Sequence, residues 1–389
     1  MQHVIERIGV LLLLAAVVAM LTRRLRLPYS VGLVASGIAM ATLAVDSDIR
    51  LTRELIFSVL LPPLIFQAAY FLEWSALRKD FWVVTTLATA GVVFSAMVTA
   101  VGMHLAADWT WTGAIVFGVL IAATDPVSVI AVFREMGATG RLSVLVEAES
   151  LFNDGTAAVL FAITTATAAG VEVTPGFVGL SLLATIGGGI GCGALVARLL
   201  LFLSGRTDDR LLVITFTVVA AYGSFLLAEH FHFSGVLATL TTGLLMGNLA
   251  PSRKSPDCEL AVESLWDFFA FVANSLIFVL IGVQEAHQDF GSVRVLVIGI
   301  ALVLIGRAAA VYPTCLLFAR TSHRVDLRDQ HVLVWGGLRG ALGLALALSL
   351  PDGLAHRNEI VTVTVAVVAF SIFVQGLSIG PVLRRLAVS

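Results

Sequence analysis

Glu149-Ser150-Leu151-Phe152-Asn153-Asp154-Gly155 lies inside an otherwise apolar stretch that runs from about Val144 to Ala168. Two carboxylates and an amide stand where a membrane-spanning helix would meet hydrocarbon. An Asp at the centre of such a helix costs roughly 2.5 to 3.5 kcal/mol on insertion scales, so these groups require partners, water or a function. The heptapeptide reads as an ion site, and the sequence on both sides of it is that of a membrane protein.

Of the 389 residues, 58% are hydrophobic and only 13% are charged, and the mean hydropathy is +0.97. These values lie outside the range of ordinary globular domains. Crossing a hydrocarbon core of roughly 30 Å takes about 20 mainly apolar residues. Segments of that kind fall at 8 to 21, 29 to 45, 54 to 72, 81 to 105, 111 to 133, 144 to 169, 176 to 203, 211 to 229, 234 to 250, 264 to 284, 294 to 319, 331 to 350 and 359 to 383. The fold class is therefore an all-α polytopic membrane protein of about 13 transmembrane helices, with no soluble domain. Met1 to Leu21 has the basic and apolar parts of a signal peptide, but Arg23, Arg24 and Arg26 follow in place of a small-residue cleavage site, so this stretch is expected to remain as the first helix. Cys192, Cys258 and Cys315 have neither metal-binding nor redox spacing and read as small apolar filler.

Thirteen spans put the termini on opposite sides, and the basic residues set the orientation. One set of loops holds Arg23, Arg24, Arg26, Arg78, Lys79, Arg134, Arg141, Arg206, Arg210, Arg253, Lys254, Arg320, Arg324, Arg328, Arg384 and Arg385; the other holds Arg7, Arg50, Arg53, Arg294 and Arg357. Basic loops stay in the cytoplasm, which predicts an external N-terminus and a cytoplasmic C-terminus. Arg198, Arg307 and Arg339 fall inside spans.

Two spans are interrupted. In the fifth, Ala123-Thr124-Asp125-Pro126 sets a charge beside a proline that has no N–H to give the helix. In the twelfth, Gly336-Gly337-Leu338-Arg339-Gly340-Ala341 gathers three glycines around an arginine. Broken segments in corresponding positions of two halves point to a transporter built from inverted repeats, here spans one to six and eight to thirteen. The seventh span holds Gly187, Gly188, Gly189, Gly191 and Gly193, a pattern for close helix packing within or between protomers.

On a helix, Ser150 and Asp154 share a face, as do Glu149 and Asn153. With Asp125 and the carbonyls freed near Thr124, they offer hard oxygen ligands suited to a small alkali cation, while the absence of His and Cys among them argues against zinc or copper. A carboxylate taken out of water also holds a proton more readily. Proton and cation competing for one anion, on an alternating-access scaffold, is a mechanism for exchange. A purely structural polar contact at Asp154 would leave the second carboxylate and both broken helices unexplained. Arg339 needs a partner at its depth, and Glu149 is the expected one, in an ion pair joining the twelfth span to the sixth; coordination of the ion by Glu149 is the alternative. Glu147 reads as a residue of the cytoplasmic mouth. The histidines, His3, His104, His230, His232, His287, His323, His331 and His356, lie nearly all at span ends and read as surface or interfacial groups.

Thr124-Asp125-Pro126-Val127, Glu149 through Gly155 and Gly337-Leu338-Arg339-Gly340 resemble the signature segments of the NhaP/NHE-type sodium/proton exchangers, the first branch of the monovalent cation:proton antiporters. Leu61-Pro62-Pro63-Leu64-Ile65-Phe66, His232-Phe233-Ser234-Gly235-Val236 and Asn274-Ser275-Leu276-Ile277-Phe278 extend the resemblance nearly end to end. It implies an NhaA-like antiporter fold with two discontinuous crossing helices, and a homodimer in membrane lipid. The dimerisation domain would comprise 1–75 (helices 1–3) and 171–290 (helices 7–10), and the core transport domain 76–170 (helices 4–6) and 291–389 (helices 11–13). It further implies a Na⁺ site at Asp154, Asp125, Ser150 and Thr124, with Asn153 in support and Glu149 paired to Arg339.

The activity implied is exchange of Na⁺ or Li⁺ for H⁺ in pH homeostasis, with no cofactor, no enzymatic reaction and no nucleic-acid partner. Asn153 before Asp154 is associated with electroneutral exchange. One departure is Gln67, where many members carry an acidic residue, and this bears on ion preference or pH dependence. The chain ends soon after Arg385, without the regulatory tail of the animal exchangers, which points to a bacterial inner membrane. A K⁺/H⁺ antiporter of the same fold is the first alternative. More distant ones are a cation channel, which would need no proton-coupled carboxylate, and an intramembrane aspartyl protease, whose Gly-x-Gly-Asp pattern is replaced here by Phe152-Asn153-Asp154.

Overall fold

In a bilayer every backbone N–H and C=O must be satisfied within the protein, which leaves helices and closed barrels as the spanning structures. The structure, a computed structural model, describes residues 2–25, 27–43, 54–136, 140–170, 175–249, 256–286 and 291–386, and it takes the helical solution, with no β-strand among the described residues. In chain order the helices are α1 (Gln2–Leu25), α2 (Tyr29–Thr42), α3 (Leu55–Phe71), α4 (Trp74–Ala107), α5 (Trp111–Leu120), α6 (Val127–Met136), α7 (Arg141–Ala168) and α8 (Pro175–Ser204). They continue with α9 (Arg210–His230), α10 (Gly235–Leu249), α11 (Pro256–Ala286), α12 (Val293–Leu317), α13 (Leu327–Trp335), α14 (Ala341–Leu348) and α15 (Arg357–Leu386).

Each expected span is occupied by helix, and the fifth and twelfth are each split in two, as α5/α6 and α13/α14. Among the described residues, α4, α8, α9, α11, α12 and α15 are long and apolar enough to cross a membrane by length and composition. The helix α7 is long enough too, but its polar residues lower its hydropathy. Residues 44–45 and 250, at the ends of two expected spans, lie outside the described residues. So do Arg26, Arg50, Arg53, Arg253, Lys254 and His287, and the side chains of His3, Arg7, Arg23 and Arg134.

The helices pack in two groups. In one, α2 lies along α11, while α3, α8 and α9 surround α10. In the other, α4 packs on α5, α7 and α12, and α15 packs on α12 and α14. The groups meet where α7 touches α3 and α10, and where α15 touches α2 and α11. Contact between α2 and α11 is backbone on backbone: a Cβ on Gly37 would strike the Val279 carbonyl, and one on Gly282 the Val34 carbonyl. The glycines of α8 divide by face. Gly193 accepts a hydrogen bond from Thr242 Oγ1 of α10 at 2.9 Å, whereas no described residue lies within 4 Å of a Cβ built on Gly187 or Gly191. The outward surface of α8 carries Leu183, Leu195, Leu199 and Phe202, all exposed, as suits contact with lipid or a second copy.

Side chains cap the starts of α5 and α9. Asp209 accepts from the N–H groups of Leu211 (2.8 Å) and Leu212 (3.2 Å) at the start of α9, and Thr110 accepts from Gly113 N at 3.3 Å at the start of α5. On the arginine-rich side, Arg141 donates through Nε (2.8 Å) and Nη2 (2.5 Å) to Asp80, and through Nη1 (2.7 Å) to the Arg324 carbonyl. One side chain thereby ties α7 to α4 and to the loop before α13.

Candidate functional site

The two breaks cross and complete each other. The helix α5 ends at Leu120, six residues before Pro126, and α6 begins at Val127 with its N–H bound to Asp125 Oδ1 at 3.0 Å, an Asp cap on the second half of the span. The Asp125 N–H donates to the Leu338 carbonyl of the other break at 2.8 Å. From that break Arg339 reaches back, its Nη1 donating to the carbonyls of Ala122 (2.6 Å) and Ala123 (3.0 Å) just past the end of α5. These carbonyls would be costly to leave bare in a dry interior, and a cation at a helix C-terminus also suits the helix dipole.

Glycine is required at this crossing for reasons of space. A Cβ on Gly340 would fall within the Asp125 carboxylate, and one on Gly337 would come within 2.5 Å of Arg307 Nε. The clustered glycines of the twelfth span mark two places where another element's charged side chain occupies the volume a side chain would need.

Glu149 does not pair with Arg339, contrary to the expectation from sequence. Its carboxylate is gripped by Arg307 of α12, Nη1 to Oε1 at 2.7 Å and Nη2 to Oε2 at 2.9 Å. Arg307 Nε and Nη2 also donate to the Leu333 carbonyl of α13, at 3.2 and 3.0 Å. Arg339 is occupied with the carbonyls of the opposing break, so the carboxylate takes the arginine that projects from an intact helix. Sequence reasoning counted Arg307 among the arginines inside spans and gave it no role. The available signal was only that an arginine at that depth needs a partner.

Around this pair runs a chain of polar contacts. Asn153 Nδ2 donates to Glu149 Oε1 (3.1 Å) and to Thr124 Oγ1 (2.6 Å), while Asn153 Oδ1 accepts from the Thr124 N–H (3.2 Å). Thr124 and Ser150 share a hydroxyl–hydroxyl bond of 2.9 Å. Asn153 is fully buried and engaged at both ends of its amide, so it fixes α7 to the break of the fifth span.

Thr124, Asp125 and Asp154 line a cavity of about 410 Å³ that lies between the two helix groups. Its other walls include Tyr29, Gln67, Glu147, Asp267 and Asn274. Ser150 and Asn153 stand in the layer behind, reaching the cavity wall through Thr124. Asp154 Oδ1 is buried and has no hydrogen-bond partner among the described residues. A carboxylate oxygen so placed carries the full cost of its desolvation, which a cation or a proton would relieve. Among the described residues no histidine lines the cavity: His104 bonds the Trp109 carbonyl at 2.7 Å and His331 bonds the Tyr312 hydroxyl at 2.7 Å, both elsewhere.

A family model described as sodium/hydrogen exchanger, transmembrane, matches residues 10–385. The low-affinity Na⁺/H⁺ antiporter NhaS1 of Synechocystis sp. is 38% identical to this chain, over 93% of it and 70% of that protein. The Na⁺/H⁺ antiporter NhaH of Halobacillus dabanensis is 33% identical over 97% of both chains. The solved structure of the sodium proton antiporter MjNhaP1 from Methanocaldococcus jannaschii at pH 8 superposes with a TM-score of 0.81 over 99% of each chain at 19% identity, a likeness of fold. The family match over almost the whole length and the relatives of similar extent agree with the crossed breaks: the chain is an integral membrane protein of the transmembrane sodium/hydrogen exchanger family, a family of transporters and not of enzymes.

Proposed function

We propose that the chain exchanges Na⁺ or Li⁺ for H⁺, with cation and proton competing for Asp154. The observation that carries this reading is the buried, unpartnered Asp154 oxygen facing a cavity that Asp125 and Thr124 also line. Asp125 and the oxygens of Thr124 complete the ligand set, Ser150 acts through its bond to the Thr124 hydroxyl, and Asn153 holds the two elements in register. Glu149 is balanced by Arg307, so it neither binds the ion nor trades a proton.

The two packing groups support a division into a stationary dimerisation domain, 1–75 and 171–290, and a moving core, 76–170 and 291–389. The exposed apolar surface of α8 suits either lipid or a second copy of the chain. The distribution of Lys and Arg supports an external N-terminus and a cytoplasmic C-terminus in a bacterial inner membrane. On that orientation Gln67, Glu147 and Asp267 lie toward the cytoplasmic ends of their helices, and the cavity serves ions from the cytoplasm.

The test is a dequenching assay on proteoliposomes, comparing Na⁺, Li⁺ and K⁺ at several pH values. Collapse of a pre-formed pH gradient by Na⁺ and Li⁺ but not K⁺ is the expected result. A response to K⁺ alone would make the protein a K⁺/H⁺ antiporter of the same fold. No response to any of the three cations would remove the reading.

A further inference from the structure

A carboxylate on the wall opposite Asp154 has no part in the ion site described above. Asp267 is exposed on α11, and Ala270, Phe271 and Asn274, which follow it at helical spacing, line the same cavity. Gln67 of α3 donates its Nε2 to Asp267 Oδ1 at 3.3 Å. Both helices belong to the group proposed to stay still, so this hydrogen bond anchors Asp267 to the stationary wall. Asp125 and Asp154 lie across the cavity on the core.

The charge in the cavity is of one sign. Asp125, Glu147, Asp154 and Asp267 line it, and among the described residues no Lys, Arg or His does. Asp154, which lines the same cavity, has a buried oxygen without a partner among the described residues, and this independently marks a place for a cation. Carboxylates in a cleft with low-dielectric walls focus their field and raise the local concentration of cations.

We propose that Asp267, steadied by Gln67, recruits the transported cation at the arginine-rich, cytoplasmic mouth of the cavity without being one of its ligands. This rests on the exchange reading above and adds a sidedness to it. Asp267 acts on ions entering from the face where the cavity opens. It does not act on ions reaching Asp154 from the other face, because the core has then carried that site away from the stationary wall. The neutral amide of Gln67 suits the role: it gives a hydrogen bond to the carboxylate where an acidic residue would oppose it.

The test uses the full chain in everted and right-side-out membrane vesicles of an expression host, with Na⁺ added to the outer face and proton movement as the readout. In everted vesicles at low ionic strength, Asp267→Asn is expected to raise the KM for Na⁺ about three- to tenfold while kcat stays within about twofold. The difference should shrink as choline chloride is raised from about 10 to about 300 mM, since salt screens an exposed charge. Asp267→Glu should restore the KM, and right-side-out vesicles should show no KM change. An unchanged KM, a fall in kcat at constant KM, or an equal KM shift on both faces would overturn the proposal. Wild-type vesicles in which Na⁺ moves no protons would overturn the exchange reading as a whole, a result distinguishable from any difference between variants.

Discussion

Both oxygens of Glu149 are bound by both terminal nitrogens of Arg307, at 2.7 and 2.9 Å, across helices α7 and α12. The pair is buried, with side-chain exposures of 1% for Glu149 and 8% for Arg307. Planar two-point geometry of this kind is the strong form of an ion pair. On the proposed mechanism it keeps a carboxylate beside the ion site out of the transport chemistry.

Removing one partner strands the other charge in a dry interior, at a cost of about 3 to 5 kcal/mol. Glu149→Leu and Arg307→Met should each lower the melting temperature in detergent, and the double substitution should recover part of that loss. Pairing Glu149→Leu with Arg339→Met should recover nothing, because the Ala122 and Ala123 carbonyls then also lose their donor. Thermal-shift curves of the five proteins decide this, and recovery only in the second pair would reject the assignment.

Asp154→Asn keeps volume and polarity but cannot trade a proton for a cation. It should abolish Na⁺-driven proton movement while the protein still elutes as a folded species on size-exclusion chromatography. Asp125→Asn should be strongly impaired as well, since it leaves a single carboxylate to offset the dehydration of the ion. Substantial exchange by the Asp154 variant would sink the mechanism.

Gly340→Ala should impair exchange severely, because its new methyl group would fall within the Asp125 carboxylate. Overpacking of this kind typically costs about 1 to 3 kcal/mol, and here it would also displace a proposed ligand. Gly353→Ala is the control, for nothing lies within 4 Å of its Cβ. Comparing initial rates and melting temperatures of the two variants separates crowding at the site from a general intolerance of alanine.

Charge balance follows from the same pair. If Glu149 stays offset by Arg307 and Asp125 stays ionised through the cycle, the proposed exchange at Asp154 is one proton for one cation. A membrane potential does work of about 2.3 kcal/mol per net charge per 100 mV, and a one-for-one cycle feels none of it. Proteoliposomes given a potassium–valinomycin potential, with Na⁺ as the other transported cation, should reach the same final pH gradient whichever sign the potential has. A final gradient that follows the potential would show that more than one proton moves per cation.

The sequence alone determined the course of the apolar helices, because hydropathy over about 20 residues is a local property that the bilayer converts directly into helix. It also determined where the two breaks fall. Pro126 and the glycines around Arg339 weaken regular helix there, and the charge beside each break had to be functional or paired. The same reason pointed to Thr124, Asp125 and Asp154, which the structure brings to one cavity.

Partnership between distant residues was decided only by the tertiary structure. Spacing could show that Glu149 and Arg339 each needed a partner, but α7 presents Glu149 toward α12, where Arg307 waits, while Arg339 is drawn to carbonyls that exist only because α5 stops short. On the cavity's opposite wall the resemblance singled out Gln67 but not its partner. Gln67 and Asp267 are 200 residues apart, and only the packing of α3 beside α11 places them together facing the ion site.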